Sequence, residues 1–473
     1  MQYVANLFNY LRNIGYFPKL WKSAIGIMIP KAGKDTTIPG NNRPISLIRC
    51  IAKLFEKCIS KPLIRHLTNN NIINKWQRAY LPHKEANEHV MRLASHIRTA
   101  NACGWTTGAI FLDVEKAFDS VWQNGLRYKL TRIKIPDKII RLLSSFLQDR
   151  TIAVKIGNTI SRQVPLKAGT PQGSVLSPIL FIIYVNDIPF APECPVSISQ
   201  FADDLAFWTS QRYNTGYKII HKRLQECMNY LETWCSDWHI KLNPTKSQLM
   251  LFGNRLRIPP EYTNIMLFDT PMPKTNQTKF LGLLIDAPLF NLVPHCKLKR
   301  ASAEHRANLL RKLRGSTWGC SKATLLHLYK TFIRPVIETG YPATLHAPKK
   351  ALHHLIVAES HSLRIAMKAF YTPGCRRQSN QEIRNQANID NILERLDKLN
   401  SDAIDRYSQS PLSEDLEFCL GHMTIHNRTK RGKRLLENYS HDAEKFQSLL
   451  FSLTTHNTSI HSHDSSFSSN SSL

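Results

Sequence analysis

Phe111-Leu112-Asp113-Val114-Glu115-Lys116-Ala117-Phe118-Asp119 stands ahead of Phe201-Ala202-Asp203-Asp204, with ninety positions from Asp113 to Asp203. Asp113 follows the apolar run Ala109-Ile110-Phe111-Leu112. The Asp203-Asp204 pair lies between Ile198-Ser199-Gln200-Phe201-Ala202 and Leu205-Ala206-Phe207-Trp208. Both surroundings read as mostly buried strands, so each motif places carboxylate at a strand end. An ionised acid in such a place needs a partner. Adjacent carboxylates also repel, and at an effective dielectric near 20 two unit charges ~4 Å apart cost about 4 kcal/mol. Divalent cations remove that cost. Mg²⁺ takes one or two carboxylates plus substrate phosphates, and a pair of metals clamps the attacking and leaving oxygens of an in-line displacement. The competing reading makes one Asp a turn residue and the pair a strand-end cap.

Between the acids runs Ala168-Gly169-Thr170-Pro171-Gln172-Gly173-Ser174-Val175-Leu176-Ser177-Pro178, followed by an apolar helical stretch from Ile179 to Val185. Gly169 and Gly173 let backbone approach a ligand closely, and Ser174 is placed to cap the helix. Such a loop can present Gln172 and backbone N–H groups to a nucleotide.

The chain of 473 residues carries 63 Lys and Arg against 35 Asp and Glu, a net charge of +28 that fits a polyanion partner. Lys297, Lys299, Arg300, Arg306, Arg311, Lys312 and Arg314 crowd one stretch with Glu304 as its lone acid. Leu298, Ala301, Leu309, Leu310 and Leu313 give that stretch an apolar helical face. The ten cysteines form no CxxC pair and no zinc-spaced cluster, and read as reduced thiols of an intracellular protein. No signal peptide begins the chain, and its longest apolar run, Val175 to Val185, is too short for a bilayer. Strands are expected at Ile25 to Pro30, Arg43 to Ile48, 108–113, 151–156, 198–208, 247–252 and 279–285. Helices are expected at Ile51 to Leu67 and Tyr217 to Trp238, with a helical region at 297–400. From about Leu450 the Ser-, Thr-, His- and Asn-rich composition suits a disordered tail.

Further pieces complete a family resemblance: Gly15-Tyr16-Phe17-Pro18 with Trp21-Lys22, Ile29-Pro30-Lys31-Ala32-Gly33-Lys34-Asp35, Arg43-Pro44-Ile45-Ser46-Leu47, Lys53-Leu54-Phe55-Glu56-Lys57, Leu242-Asn243-Pro244-Thr245-Lys246-Ser247, Lys279-Phe280-Leu281-Gly282 and Leu328-Tyr329-Lys330-Thr331-Phe332-Ile333-Arg334-Pro335. In this order, with the acidic motifs, they resemble the reverse transcriptase domain of non-LTR retrotransposons, nearest the jockey-like arthropod elements, across about residues 11–370. The resemblance implies an α+β right-hand polymerase. Its fingers would be residues 1–105, its palm, an antiparallel sheet plus helices, 106–286, and its helical thumb and extension 287–400. A C-terminal segment, 401–449, and the tail, 450–473, follow. The reverse transcriptase domain as a whole would span about 11–286.

The resemblance also implies roles. Asp113 and Asp203 would be metal ligands for two Mg²⁺, with Mn²⁺ as a substitute and Asp204 in support. Lys31 and Arg43 would hold the triphosphate, which suits a Lys point charge and an Arg fork, beside Gln172 and Gly173. Lys246 would protonate the leaving pyrophosphate, and Phe118 would exclude a 2′-OH and so select dNTPs. Phe280, Leu281 and Gly282 would form the primer grip, and the basic stretch 297–314 would track the backbone of an RNA template with its DNA primer. Gln77-Arg78-Ala79-Tyr80-Leu81 keeps only the Gln of the family's Gln-Phe-Gly-Phe-Arg-like segment. No upstream endonuclease is visible, so a separate endonuclease or nucleic-acid-binding protein would serve the element. Partners therefore exclude a membrane, and the location is intracellular, nuclear or cytoplasmic. A catalytically silent nucleic-acid-binding remnant and, more weakly, a group II intron-type maturase stay open beside the polymerase reading.

Overall fold

The computed structural model of the chain describes residues 2–412, apart from 32, 34, 189–195, 213–215, 254–257, 316–317, 370–375 and 409. The expectations for 413–449 and for the tail, and those resting on Ala32 and Lys34, lie outside the described residues.

The chain opens with helix α1 (Gln2–Ile14) and the antiparallel strands β1 (Ser23–Pro30) and β2 (Asn42–Leu47), then helices α2 (Cys50–Asn69) and α3 (Ala86–Ala102). Strand β3 (Trp105–Leu112), helices α4 (Gln123–Arg132) and α5 (Asp137–Leu147), strands β4 (Arg150–Ile156), β5 (Thr159–Ile160) and β6 (Val164–Leu166) and helix α6 (Ser177–Tyr184) follow. Next come β7 (Ser197–Phe201), β8 (Asp204–Arg212), α7 (Gly216–Asp237), β9 (Gln248–Phe252) and three short hairpin strands, β10 (Met266–Leu267), β11 (Thr270–Pro271) and β12 (Gln277–Phe280). After β13 (Leu283–Asp286) the described chain is helical: α8 (Val293–Leu313), α9 (Lys322–Leu328), α10 (Arg334–Glu338), α11 (Lys349–Ala366), α12 (Asn380–Ala387) and α13 (Ile392–Ser408).

The frame of the molecule is an antiparallel sheet in the order β7-β8-β3-β9. Its strands are buried on both faces, and the two-residue side-chain period splits them between two cores. Ile110, Leu112, Leu205, Phe207, Leu249 and Leu251 face one core, shared with α2, α4 to α7. Ala109, Phe111, Ala206, Trp208, Met250 and Phe252 face the other, shared with α3 and the helices from α8 onward. Burying each such Leu, Ile or Phe contributes ~1.5–3 kcal/mol, so a one-residue slip of β3 would exchange its whole set between cores. The α+β class expected from the sequence is the one found. Among the described residues no helix is long and apolar enough to cross a membrane.

Four expectations need correction. The 151–156 strand lies outside the acid-bearing sheet: it is β4, which pairs parallel to β1 through Ser23↔Thr151 to Ile27↔Lys155, in a second sheet. Alternation marks a strand without naming its neighbour. The 198–208 strand is a hairpin, because β7 and β8 turn back at Ala202-Asp203. The 279–285 strand is likewise a separate hairpin, β12–β13. Finally, α8 turns His295, Cys296, Ala303, Ala307 and Leu310 inward and leaves Leu298, Leu309 and Leu313 exposed. The alanines let α11 close against it through Ala351, Leu355 and Ala358.

Candidate active site

β3 ends at Leu112, so Asp113 leaves the sheet at its rim. Its N–H donates to Ser247 Oγ at 3.2 Å and its carbonyl accepts from Asn243 N–H at 2.9 Å, which ties it to the segment leading into β9. The neighbouring strand brings the second motif alongside: Leu112 pairs with Leu205, and Phe201 with Asp204 across the turn. Thus β3–β8 pairing closes the ninety-residue gap. Ala202 holds φ 56° in that turn, a left-handed conformation that costs a residue with a Cβ about 1–2 kcal/mol.

Asp203 and Asp204 are exposed and Asp113 half-exposed, so these acids are not the buried groups expected. Protein on one side of the rim still strips enough water to matter. Desolvation, then the charges of Asp203 and Asp113, push the Asp204 carboxyl up to about 6. Desolvation also raises Asp203, as does Asp113, while its own backbone N–H and the Arg43 guanidinium pull it down. Lys246 Nζ lies 3.6 Å from Asp113 Oδ2, an exposed pair worth little as a stabiliser. Like charges presenting only oxygen are the donor chemistry of a hard divalent cation. Among the described residues no three His, Cys, Asp or Glu side chains form a ready metal cage. What fits is therefore an open site that leaves positions for phosphate oxygens and water.

The raised carboxyl sets a pH dependence. Folded Asp204 binds its proton at about 6, whereas the unfolded chain binds it near 3.9. Between those values the folded state holds more protons, so this group's contribution falls as pH rises. In EDTA, Asp204→Asn is expected to melt above wild type at about pH 7, with the gap closing by about pH 4.5. Thermal melts at the two pH values check this; a gap independent of pH contradicts it.

The Gly/Pro loop packs on this rim from the side of β2. A Cβ on Gly169 (φ +80°) would stand 2.7 Å from the Asp119 carbonyl oxygen, and one on Gly173 (φ +104°) 2.8 Å from that of Ser46. The glycines therefore admit close approach to the protein's own backbone. Ser46 N–H donates to the Gln172 carbonyl at 2.7 Å, and Gln172 Nε2 donates to both Asp119 carboxylate oxygens at 3.0 Å. Thr170 N–H holds the Phe118 carbonyl at 2.8 Å. The Phe118 ring, half-buried, lies 4.8 Å from that of Phe181 on α6.

Glu56 on α2 carries a role its sequence did not announce. Its Oε2 accepts from Ser174 Oγ at 2.5 Å and from the N–H groups of Val175 (2.7 Å) and Leu176 (3.3 Å). Ser174 Oγ in turn accepts from Leu176 and Ser177 N–H. α6 starts at Ser177 after Leu176, which has no capping side chain; the expected Ser174 cap is thus shared with Glu56. The available signal was one acid among Phe55, Ile59 and Leu63 on the buried face of α2. Glu56→Ala, which orphans buried donors, is expected to cost about 3 kcal/mol in urea unfolding. A loss under about 0.5 kcal/mol contradicts the assignment.

The other positions are more dispersed. Arg43 is exposed on β2 within electrostatic reach of Asp203. Lys31, exposed beyond β1, donates through Nζ to the Gly40 carbonyl at 2.9 Å. Leu281 (φ 47°) and Gly282 (φ 81°) form the tight turn of β12–β13, the doubly left-handed hairpin turn. Buried Phe280 anchors that turn on Phe111 of β3, with ring centroids 5.3 Å apart. Lys297, Lys299, Arg300, Arg306, Arg311 and Lys312 project from α8, and Arg314 follows it. Arg300 pairs with Glu304 at 2.7 Å, Arg306 donates to the Phe332 carbonyl at 2.6 Å, and Arg311 meets His361 at 3.4 Å.

Residues 29–285 match the family model described as reverse transcriptase (RNA-dependent DNA polymerase). The chain is 32% identical over 318 residues to the probable RNA-directed DNA polymerase from transposon BS of Drosophila melanogaster, covering 66% of this chain and 34% of that protein. It is 27% identical over 455 residues to the RNA-directed DNA polymerase from mobile element jockey of the same organism, covering 93% of this chain and 48% of that one. The chain thus spans about a third to a half of these relatives. Among solved structures, apo telomerase from Candida tropicalis aligns at 14% identity with a TM-score of 0.43, over 91% of this chain and 69% of that one.

Proposed function

The chain belongs to the reverse transcriptase (RNA-dependent DNA polymerase) family, in its non-LTR, jockey-like branch, and on that premise we propose that it extends a DNA primer along an RNA template with dNTPs. The observation that carries this reading is the meeting of Asp113 with the Asp203-Asp204 turn across β3–β8, with Lys246 Nζ 3.6 Å from Asp113.

Members of this family use divalent metal ions. Here Asp113 and Asp203, supported by Asp204, would hold two Mg²⁺, for which Mn²⁺ can substitute. Bound there, the ions would supply the positive charge that neutralises the reacting phosphate. The chain's own groups do the rest. Arg43 and Lys31 neutralise and orient the triphosphate, and Gln172 with Gly173 fixes the strand that carries Arg43. Lys246 delivers a proton to the departing pyrophosphate. Phe118 closes the space a 2′-OH would need. The Phe280-Leu281-Gly282 turn holds the primer end, and the cations of Lys297 to Arg314 hold the duplex backbone without reading its sequence. Fingers built on the sheet of β1, β2 and β4 to β6, a palm on β7-β8-β3-β9 and a thumb from 287 would divide this labour, and the proposed nucleic-acid substrates would be met inside the cell, in nucleus or cytoplasm.

The test is single-nucleotide addition to a DNA primer on RNA templates that differ in the next base. Addition that follows the template base is expected. No addition with either Mg²⁺ or Mn²⁺ contradicts the proposal.

A further inference from the structure

We propose that Gln77 is a positioning residue for the acidic turn, holding Ala202 in its left-handed conformation and through it the carboxylates of Asp203 and Asp204; the inference rests on the polymerase reading of that turn. Gln77 is 1% exposed. Its Oε1 accepts two backbone N–H groups, that of Ala79 at 2.9 Å and that of Ala202 at 3.1 Å. The second bond falls on the residue whose φ of 56° a Cβ disfavours. Such a conformation persists only where its surroundings over-determine it. The Gln77 side-chain NH₂ has no hydrogen-bond partner among the described residues, so the two accepted bonds are the polar work this side chain does.

The main chain around Gln77 is itself locked to β7. Gln200 N–H donates to the Trp76 carbonyl at 3.2 Å, and Arg78 N–H donates to the Gln200 carbonyl at 3.1 Å. His89 Nε2 meets the same Gln200 carbonyl at 3.1 Å, and Arg92 donates to that of Ile198 at 2.9 Å. Arg78, buried, pairs with Glu88 at 2.8 Å and reaches Ser410 Oγ at 2.5 Å. Side chains of α3 therefore hold β7 from behind while Gln77 holds the turn itself. Arg406 and Tyr407 of α13 brace the same region through Glu85. Gln77 touches no reacting atom in this scheme; it acts through the Ala202 N–H.

The experiment compares wild type with Gln77→Met, similar in length but without the acceptor, and with Gln77→Met/Ala202→Gly. In wild type the Ala202 amide should exchange with solvent slowly, and in Gln77→Met roughly tenfold faster. Single-nucleotide kcat should fall roughly tenfold to hundredfold, with the template–primer KM within about twofold. Glycine takes positive φ freely, so adding Ala202→Gly should recover part of kcat, which a general loss of stability would not allow. Wild-type kcat in Gln77→Met, or no recovery with glycine, overturns the proposal. So does rapid Ala202 exchange in wild type, a result that needs no variant and stands even where Gln77→Met fails to fold. Exchange also needs no catalysis: an inactive chain counts against the polymerase reading and leaves the exchange result to decide the Gln77 bond.

Discussion

Asp203→Ala is expected to lower nucleotide incorporation by about a thousandfold or more while template–primer affinity stays within about twofold. The asymmetry follows from where the group sits. Asp203 is the second residue of a tight turn, exposed, and among the described residues paired with no cation closer than the electrostatic reach of Arg43. Its removal relieves repulsion with Asp113 and Asp204, so the fold should not weaken. Binding of the duplex is assigned to other groups, chiefly the cations of α8, and should survive. Incorporation kinetics and a filter-binding titration on one preparation separate the two effects. Equal activity in the variant sinks the assignment of this turn to the chemistry.

Phe118→Val is expected to erode the preference for dNTPs over rNTPs by about tenfold to hundredfold, chiefly by raising rNTP use. The ring is packed on one side and its backbone is tied down. The Phe118 carbonyl is held by Thr170 N–H at 2.8 Å, and one side of the ring is covered by Phe181 at 4.8 Å. Valine keeps an apolar contact with Phe181 but retracts the bulk that a 2′-OH would meet. The readout is the ratio of kcat/KM for a dNTP and the matching rNTP on one RNA template. An unchanged ratio returns Phe118 to the ordinary core.

What the sequence made legible was the period of its apolar residues. β3, β9, α2 and α7 stand within a few residues of their expected limits, because each buries a face that alternation or helical spacing displays. The meeting of Asp113 with Asp203 was legible for the same reason, both acids ending apolar strands. Partners were not legible: nothing in Arg150–Ile156 says that β1, rather than β3, lies beside it. Nor was the turn at Ala202-Asp203, whose residues lack the Gly or Asn that usually marks a left-handed position. The acids were expected to be buried because their neighbours are apolar, yet a strand end at a sheet rim opens its last side chain to water. The supporting roles of Glu56 and Gln77 could not be read from the chain, because each reaches a backbone N–H more than a hundred positions away. Such contacts leave no spacing in the chain. Gly169 and Gly173 were read rightly as places of close approach, which here brings in the backbone of Asp119 and of Ser46.

The most direct measurement is extension of a DNA primer along an RNA template by the purified chain, with Mg²⁺ and four dNTPs, beside Asp113→Ala and with duplex binding recorded for both. Extension by wild type alone, with both proteins binding, is the expected result. Binding by both with extension by neither, or extension undiminished in Asp113→Ala, would contradict a polymerase centred on the β3–β8 rim.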